Sequence, residues 1–419
     1  MVSSHFLAKR GSAVSLGALA IAAGFANLPA FAADVEPSGA PVAVLERVRS
    51  QNDTGGVRSG AFIFTPYLIG KVAFDDNVYG ARVRRSDTIF SVTPGLQFKS
   101  DWSRHSLEGE FAIDAIKYAR QSKLDHINAR IGGVGKFELG SSSNIVIESR
   151  FVRSADTVPT TGAASPDGPI VNNTLVEGAT FNTRFNRFVW SAGVNWSWSN
   201  YENAKSFGVP VDQSFRNGAV TTFTERLGYE ISPSTTVFIQ PQYNIRRYKN
   251  SAYNSEGYRI YGGLSTEMTR LVRGEVYGGY LFQDFASPAI PNVSSYGFGG
   301  RIIWYPMERL TVNLNANRDI GDPSALGAPA SVNTSFGVQA DYEIYHNLVW
   351  SVGSTYSIAK YTAPSYTDYT YGANTGLTYY INRNISAVAT WNRTWRENAF
   401  IFANNYNRNQ IAVGLRGQF

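Results

Sequence analysis

The feature of the sequence that most restricts its fold is an alternation of apolar and polar residues, repeated from about residue 60 to the C-terminus. The last nine residues are an example, with apolar side chains on one face at Ile411, Val413, Leu415 and Phe419. A period of two residues is that of a β-strand, whose successive side chains point to opposite faces. A soluble β-sandwich would have the same alternation, so the pattern alone does not decide between a soluble and a membrane protein.

The number of alternating segments is more restrictive. Between residues 60 and 419 we predict eighteen strands. They lie near residues 61–74, 87–99, 104–119, 126–139, 143–154, 172–185, 187–201, 219–231, 235–249, 257–269, 271–285, 295–305, 309–320, 333–345, 347–361, 369–382, 384–396 and 408–419. This leaves about 20 residues for each strand with its connection, and a tilted strand needs only ~9 to 11 residues to cross a bilayer.

The connections alternate between short and long. Short ones follow the even-numbered strands, at 100–103, 140–142, 186, 232–234, 270, 306–308, 346 and 383. Long ones follow odd-numbered strands, at 157–171, 202–218, 250–256, 320–332, 364–368 and 397–407. Outer-membrane barrels have short periplasmic turns and long extracellular loops, whereas a secreted soluble sheet protein has no reason to segregate its loops. We therefore predict an all-β, transmembrane antiparallel β-barrel of eighteen strands, with sixteen as the alternative count.

Aromatic residues on the apolar face support a barrel wall that contacts lipid. They form two groups, Phe185, Trp190, Tyr229, Trp304, Tyr345 and Trp350 beside the short turns, and Trp196, Trp198, Tyr258, Tyr296 and Trp395 toward the long loops. Such girdles mark the two interfaces of a membrane. Glu177 and Glu225 interrupt the apolar face, and we expect a bulge or a register error in those two strands.

The first 32 residues are typical of a secretory signal peptide. Lys9 and Arg10 precede an apolar stretch at 13–25, and the small residues of Ala30-Phe31-Ala32 place cleavage near Ala32. A transmembrane anchor is the alternative, but the stretch is short for one. We therefore assign residues 1–32 to a signal peptide, 33–59 to a short N-terminal periplasmic segment, and 60–419 to the barrel.

Composition argues against enzymatic and nucleic-acid functions. The chain has no cysteine and four histidines, and we predict neither a metal site nor a cofactor nor a catalytic residue. Charged residues make up 17% of the chain, against about a quarter in soluble proteins. The net charge of +6, which falls when Lys9 and Arg10 are removed, is too small to indicate nucleic-acid binding.

Several stretches resemble a known family. They are Phe74-Asp75-Asp76-Asn77-Val78-Tyr79, then 91–96 and 100–102, and Glu225-Arg226-Leu227-Gly228-Tyr229-Glu230-Ile231-Ser232-Pro233, continuing to 278–280. These resemble the family called putative beta-barrel porin 2, over roughly residues 62–419. The resemblance implies an outer-membrane barrel, and some relatives in the family are associated with exopolysaccharide export.

Charged residues on the polar face are the candidates for a pore lining. Five arginines lie on consecutive predicted strands, and three acidic residues lie on the third strand, on the opposite wall; these pore-lining candidates are Arg226, Arg246, Arg259, Arg273, Arg301, Glu108, Glu110 and Asp114. They predict an electric field across a water-filled lumen that an inward loop partly narrows. The alternative is that the arginines form ion pairs with Glu230, Glu267 and Glu275.

Two functions follow from these patterns. The first is a porin-like channel for hydrophilic solutes in the outer membrane of a Gram-negative cell. The second is an outer-membrane exit channel that works with a periplasmic polysaccharide export protein. In both cases the expected partners are outer-membrane lipid and the barrel assembly machinery, and Phe419 is the predicted assembly signal at the end of the closing strand.

Overall fold

The structure is a computed structural model, and it describes residues 42–47, 55–158, 167–206, 208–269, 271–322, 330–362, 365–397 and 405–419. The predicted signal peptide lies outside the described residues, as do 33–41 and 48–54 of the predicted periplasmic segment. The described parts of the chain are almost entirely β-sheet. They contain no helix that is long and apolar enough to cross a membrane.

The strands follow one another in the order that the alternation predicts. They are β1 (Val57–Ser59), β2 (Phe62–Asp75), β3 (Asp87–Ser100), β4 (Ser106–Tyr118), β5 (His126–Glu138), β6 (Ser143–Asp156), β7 (Ile170–Phe185), β8 (Phe188–Tyr201), β9 (Ala204–Ser206), β10 (Val209–Val211), β11 (Gly218–Ser232), β12 (Thr235–Tyr248), β13 (Ser255–Thr269), β14 (Val272–Phe285), β15 (Val293–Met307), β16 (Leu310–Gly321), β17 (Ser331–Tyr345), β18 (Leu348–Thr362), β19 (Ser365–Tyr380), β20 (Ile385–Glu397) and β21 (Tyr406–Gln418). Short 3-10 segments occur at Val44–Glu46, Ser122–Leu124, Ser214–Arg216 and Ser251–Tyr253.

Eighteen of these strands close into an antiparallel barrel, which confirms the predicted fold and strand count. β2 to β8 pair in sequence, β8 pairs with β11, and the order continues from β11 to β21. The barrel closes where β21 pairs with β2, from Tyr67 opposite Gln418 to Asp75 opposite Gln410. β1 forms a hairpin with β2, and β9 pairs with β10 within the connection between β8 and β11. Closure leaves no unpaired edge in the barrel wall.

The two ends of the barrel have different connections, as predicted. We call the end with the short hairpins the turn end, and the other the loop end. Asn186, at a turn between β7 and β8, has a φ of 55°, a left-handed conformation that asparagine tolerates better than most residues. The predicted loop at 364–368 is wrong, because β19 already begins at Ser365 and pairs with Thr362 of β18. Residues 365–368 continue the alternation of β19 and extend its backbone pairing with β18 at the loop end.

The outer face of the wall is apolar and the inner face is largely polar. On β2, Leu68, Val72 and Phe74 point outward and are exposed, whereas Tyr67 and Asp75 point inward and are buried. In an aqueous protein this arrangement would leave the apolar face in water. It is therefore the arrangement of a barrel whose outer wall contacts lipid.

The bulge expected at the two outward carboxylates is wrong. β7 pairs continuously with both neighbours through Glu177, and β11 pairs continuously with β8 through Glu225. Both side chains therefore stay on the outer face. Ser149 of β6 also points outward, and its hydroxyl donates to Glu177 Oε1 at 2.8 Å, which gives this carboxylate a partner on the wall itself.

The seam between the first and last strands of the barrel is reinforced at the loop end. Asp75 Oδ2 accepts from Arg408 Nη2 at 2.5 Å and Nε at 2.7 Å. Asp76 accepts from the backbone N–H of Asn409 at 2.6 Å, and the backbone N–H of Asn77 donates to Asp75 at 2.9 Å. The Asp-Asp-Asn sequence at 75–77 therefore joins the two ends of the sheet.

Candidate channel lumen

The candidate site is the inner wall of the barrel. Because alternate residues of every strand face inward, the polar half of each strand contributes to one continuous lining. All eight pore-lining candidates lie on this inward half of their strands. Their contacts divide them into residues held in ion pairs and residues that are exposed in the lumen.

Arg226 lies in a buried cluster on β11, β12 and β14. Its guanidinium contacts both oxygens of Glu275, with Nη2 to Oε2 at 2.6 Å and Nη1 to Oε1 at 3.1 Å. It also lies 3.5 Å from the centroid of the Phe238 ring, and its side chain is 10% exposed. A two-point contact with a carboxylate fixes the orientation of an arginine and offsets its charge. Arg226 and Glu275 therefore act on the lumen as a dipole rather than as a free cation.

Arg246 and Arg259 are held in the same way near the loop end. Arg246 is almost completely buried and donates to the backbone carbonyls of Ile320 and Gly321 at 2.9 and 3.0 Å. Its Nη1 also lies 3.2 Å from Asp322. Arg259 Nη1 lies 3.0 Å from Asp319. Both arginines therefore tie β12 and β13 to the end of β16 through the space inside the barrel.

Arg273 and Arg301 differ from these three. Arg273 of β14 is half-buried, with its guanidinium carbon 5.6 Å from the centroid of the Tyr305 ring. Arg301 of β15 is exposed and, within the described part of the chain, has no carboxylate within 4 Å. The electric field that the five arginines impose on the lumen therefore comes mainly from Arg273 and Arg301.

One acidic residue of β4, Glu110, has a basic partner on its own wall. Glu110 Oε1 accepts from Tyr67 Oη at 2.5 Å and from Arg130 Nη2 at 3.0 Å. The guanidinium of Arg416, on β21, lies 4.9 Å from the centroid of the Tyr67 ring. The negative charge of Glu110 is therefore compensated by Arg130 on the same side of the lumen.

The other two acidic candidates lie above and below this cluster on β4. Asp114 accepts from the hydroxyl of Thr93 at 2.8 Å. Glu108 is exposed and is in no ion pair among the described residues. Among the eight pore-lining candidates, Glu108 is thus the exposed acidic residue and Arg301 the exposed basic residue.

A segment that precedes the barrel also contacts the inner wall. Val44 is fully buried, and its backbone N–H donates to the hydroxyl of Thr311 on β16 at 3.0 Å. Arg47 Nη1 lies 3.0 Å from the buried carboxylate of Glu343 on β17. We call residues 42–47 the N-terminal strap. The alternation that predicts strands does not identify a segment of this kind. The sequence signal for its burial is the short apolar stretch at 42–45.

At the loop end, connections fold inward and pack on the strands. Val78 and Leu124 are fully buried in a cluster with Tyr118 of β4. A second cluster on β13 to β17 includes Leu281 and Ala330, both with no exposed surface. These clusters occupy lumen volume that a bare barrel would leave to water, and so they narrow the loop end.

Two titratable residues in the connections have displaced pKa values. Burial raises the pKa of the Tyr79 phenol, and the nearby Arg85 opposes this. The Tyr79 hydroxyl donates to Gln121 at 3.0 Å, which joins the connection after β2 to the one after β4. The backbone N–H and hydroxyl of Ser214 donate to Asp212 and lower the pKa of that carboxyl. The lowered pKa of Asp212 favours the folded conformation of its connection at neutral pH, whereas the raised pKa of Tyr79 keeps its phenol protonated.

The described histidines have structural contacts. His105 Nδ1 accepts from the backbone N–H of Glu138 at 3.1 Å, and His126 Nδ1 lies 2.6 Å from the carbonyl of Leu124. His346 lies 2.8 Å from Glu343. Among the described residues there is no group of three or more His, Cys, Asp or Glu that could hold a metal ion.

Comparison with solved structures finds other outer-membrane barrels. OccK5 (OpdH) of Pseudomonas aeruginosa has 12% identity and a TM-score of 0.45, with 85% of this chain and 98% of that chain covered. Acinetobacter baumannii OccAB4 has 10% identity and a TM-score of 0.46, with 85% and 98% covered. A mutant of the P. aeruginosa ferric enterobactin receptor PfeA has 9% identity and a TM-score of 0.45, with 91% and 84% covered.

Comparison with the curated proteins gives no match. The family described as putative beta-barrel porin 2 matches residues 51–419, which include every strand of the barrel. Since that match extends over far more than half of the sequence, the chain belongs to the putative beta-barrel porin 2 family.

Proposed function

We propose that the barrel is a porin-like channel that lets small hydrophilic solutes cross the outer membrane. The observation that carries this proposal is the closed eighteen-strand wall with an apolar outer face and a charged inner face. A wall of this kind separates lipid from a polar interior. An eighteen-strand circumference is wide enough to enclose an aqueous path.

The inner wall favours a lumen that contains water. An ionised side chain placed in a dry interior costs several kcal/mol unless it is well paired. Arg301 and Glu108 are exposed and unpaired among the described residues, so they need water as their partner. The pairs of Arg226 and Arg130 with Glu275 and Glu110 line the same lumen and remain partly exposed.

The N-terminal strap and the inward loop clusters favour small solutes over large ones. The strap lies against β16 and β17 at the turn end, and the clusters around Val78 and Ala330 lie at the loop end. A solute therefore has to pass two narrowed zones.

We place the loop end outside the cell and the turn end in the periplasm, because outer-membrane barrels carry their long loops outside. The predicted signal peptide agrees with this route, since it directs the chain across the inner membrane. The strap then lies at the periplasmic mouth. It lies within the predicted periplasmic segment at 33–59.

Liposome swelling with sugars of increasing size tests the proposed solute class. We expect arabinose to enter proteoliposomes that contain the purified barrel, and larger oligosaccharides to be excluded. The double variant V44D/R47A, which removes the two anchors of the strap, should admit larger sugars than the parent. R58A is the matched control, because Arg58 of β1 pairs with Asp101 in an exposed hairpin away from the inner wall. No swelling with either the parent or V44D/R47A would contradict the proposal.

The second candidate function is the exit channel for an exported polysaccharide. The specific observation in its favour is the strap, since a periplasmic export protein could displace a segment held by the buried Ala43 and Val44, one backbone hydrogen bond to Thr311 and the contacts of Arg47 with Glu343 and Glu308. This function predicts a closed parent and an open V44D/R47A variant in the same swelling assay. A porin instead predicts that both are open and differ only in the size limit.

A further inference from the structure

The outer wall carries a groove that the proposed channel function does not use. It lies on β14 to β18 and has a volume of about 600 Å³. Five outward residues meet in one row across these strands, in the order Val276, Gly300, Ala316, Phe336 and Tyr356. The two small residues lie between bulky ones, so the wall is depressed at Gly300 and Ala316. The lining is almost entirely apolar.

A basic residue lies at the loop end of this groove. Arg318 of β16 is opposite Phe298 of β15, which itself lines the groove. Its guanidinium carbon lies 4.4 Å from the Tyr296 ring centroid, and Nη1 donates to the hydroxyl of Thr334 at 2.7 Å. These contacts hold the guanidinium against the outer wall. None of them neutralises its charge.

A second cation lies nearby on the same face. Lys360 of β18 is exposed and points outward. Arg318 is opposite Thr334, Thr334 is opposite Ile358, and Lys360 follows two residues later. The strand spacings place the two Cα atoms about 12 Å apart. In the described part of the chain, no carboxylate lies within 4 Å of either cation, and residues 323–329, between β16 and β17, include no acidic residue.

Three other outward cations near the loop end differ in this respect, whereas Arg393 of β20 is likewise without a carboxylate within 4 Å in the described part of the chain. Lys117 pairs with Asp125 at 3.3 Å, Arg153 pairs with Glu202 at 3.1 Å, and Arg247 pairs with Glu256. Arg318 and Lys360 therefore form an uncompensated positive patch directly above the apolar groove. The aromatic residue Tyr296, which contacts Arg318, belongs to the predicted girdle at this end.

We propose that this wall binds a phosphorylated, multiply acylated glycolipid of the outer leaflet, that is, a lipopolysaccharide. An acyl chain would occupy the groove over Gly300 and Ala316. A phosphate would lie between Arg318 and Lys360, where a guanidinium and an ammonium both attract it. The assignment to the outer leaflet depends on the orientation proposed above, and it does not depend on whether the lumen conducts.

Binding of purified rough-type lipopolysaccharide to the full mature barrel in detergent tests this proposal. The variant R318Q/K360Q should bind roughly thirtyfold more weakly, since each of the two exposed contacts with the phosphate contributes about a factor of five. The variant A316F, which fills the groove without changing charge, should also weaken binding. K117Q/R393Q removes the same charge from outward positions on β4 and β20, away from the groove, and is the matched control. Because the proposed phosphate would not contact these positions, the expected change is less than about threefold.

Each variant is first checked for heat-modifiable migration, which reports an intact barrel. Equal losses in R318Q/K360Q and K117Q/R393Q would mean general surface electrostatics and would overturn the proposal. Unchanged binding in R318Q/K360Q would also overturn it. Phosphatidylglycerol is the competing source of phosphate. If this lipid bound as tightly as lipopolysaccharide, and R318Q/K360Q weakened its binding to the same extent, the assignment to lipopolysaccharide would be overturned.

Discussion

Asp75 closes the barrel by accepting two hydrogen bonds from Arg408, at 2.5 and 2.7 Å, between the first and last of the eighteen barrel strands. The two residues are more than 330 positions apart in the sequence. The Asp75 side chain is completely buried and that of Arg408 is 16% exposed. The strand ladder of this seam ends at Asp75, and one further backbone hydrogen bond joins Asp76 to Asn409, so the ion pair lies where the ladder ends.

Loss of the Asp75 carboxylate should therefore destabilise the seam. We expect D75N to lower the free energy of unfolding by about 3 to 5 kcal/mol, because it leaves the guanidinium of Arg408 without its buried partner. The measurement is the temperature at which the folded band in heat-modifiability gels is lost. A parallel decrease is expected for R408Q.

D101N is the control for D75N. Asp101 pairs with Arg58 at 2.5 Å, but both side chains are largely exposed, at 47% and 62%. Such pairs contribute at most about 1 kcal/mol. If D75N and D101N shifted the unfolding temperature equally, the seam pair would have no special role.

The sequence alone was sufficient to predict the barrel, because alternation and loop length are local properties. The eighteen strands lie within a few residues of their predicted positions, since side chains that face lipid must be apolar over the whole membrane span. Loop 364–368 was predicted wrongly because Tyr366 and Asp368 are polar enough to suggest a connection. In the structure Asp368 faces inward, where Arg396 binds it.

The contacts of the candidate site could not be predicted in the same way. Alternation assigns Arg226 to the inner face, but its partner Glu275 lies on a strand that is not adjacent to β11, and only the barrel's curvature brings them together. The bulge expected at Glu177 was wrong because an outward hydroxyl at Ser149 supplies a hydrogen bond without any change in register. The strap at 42–47 has no periodic signal.

Arg226 and Glu275 should influence ion selectivity with opposite signs. R226Q leaves the carboxylate unpaired and should shift the channel toward cations, whereas E275Q should shift it toward anions. R226Q/E275Q should be close to the parent, because it removes no net charge. Reversal potentials under a salt gradient measure these shifts, which should shrink as the screening length falls from ~10 Å at 0.1 M to ~3 Å at 1 M salt. Identical potentials for all four proteins would place the pair outside the permeation path.

Phe419 should be required for efficient assembly. Its backbone N–H donates to the carbonyl of Pro66 at 3.0 Å, and its ring is 63% exposed on the outer face. A ring that packs on nothing inside the barrel contributes little to folded stability, so its expected role is recognition by the assembly machinery. Deletion of Phe419 should strongly reduce the heat-modifiable protein in outer membranes. Normal insertion of the deleted chain would contradict this role.

Cysteine labelling tests the orientation cleanly, because the chain contains no cysteine. Val209, in the connection between β8 and β11, is 63% exposed, and Ser234 is exposed at the turn between β11 and β12. In intact cells, a membrane-impermeant maleimide should label V209C and not S234C. Labelling of S234C alone would reverse the proposed orientation.

The conductance of the purified protein in planar bilayers tests the central claim most directly. A water-filled lumen predicts discrete current steps for the parent barrel, with a conductance that rises with salt concentration, and larger steps for V44D/R47A, in which the strap is released. If neither the parent nor this variant passed current while both retained heat-modifiable barrels, the lumen would not be an open aqueous path, and the proposed channel function would be contradicted.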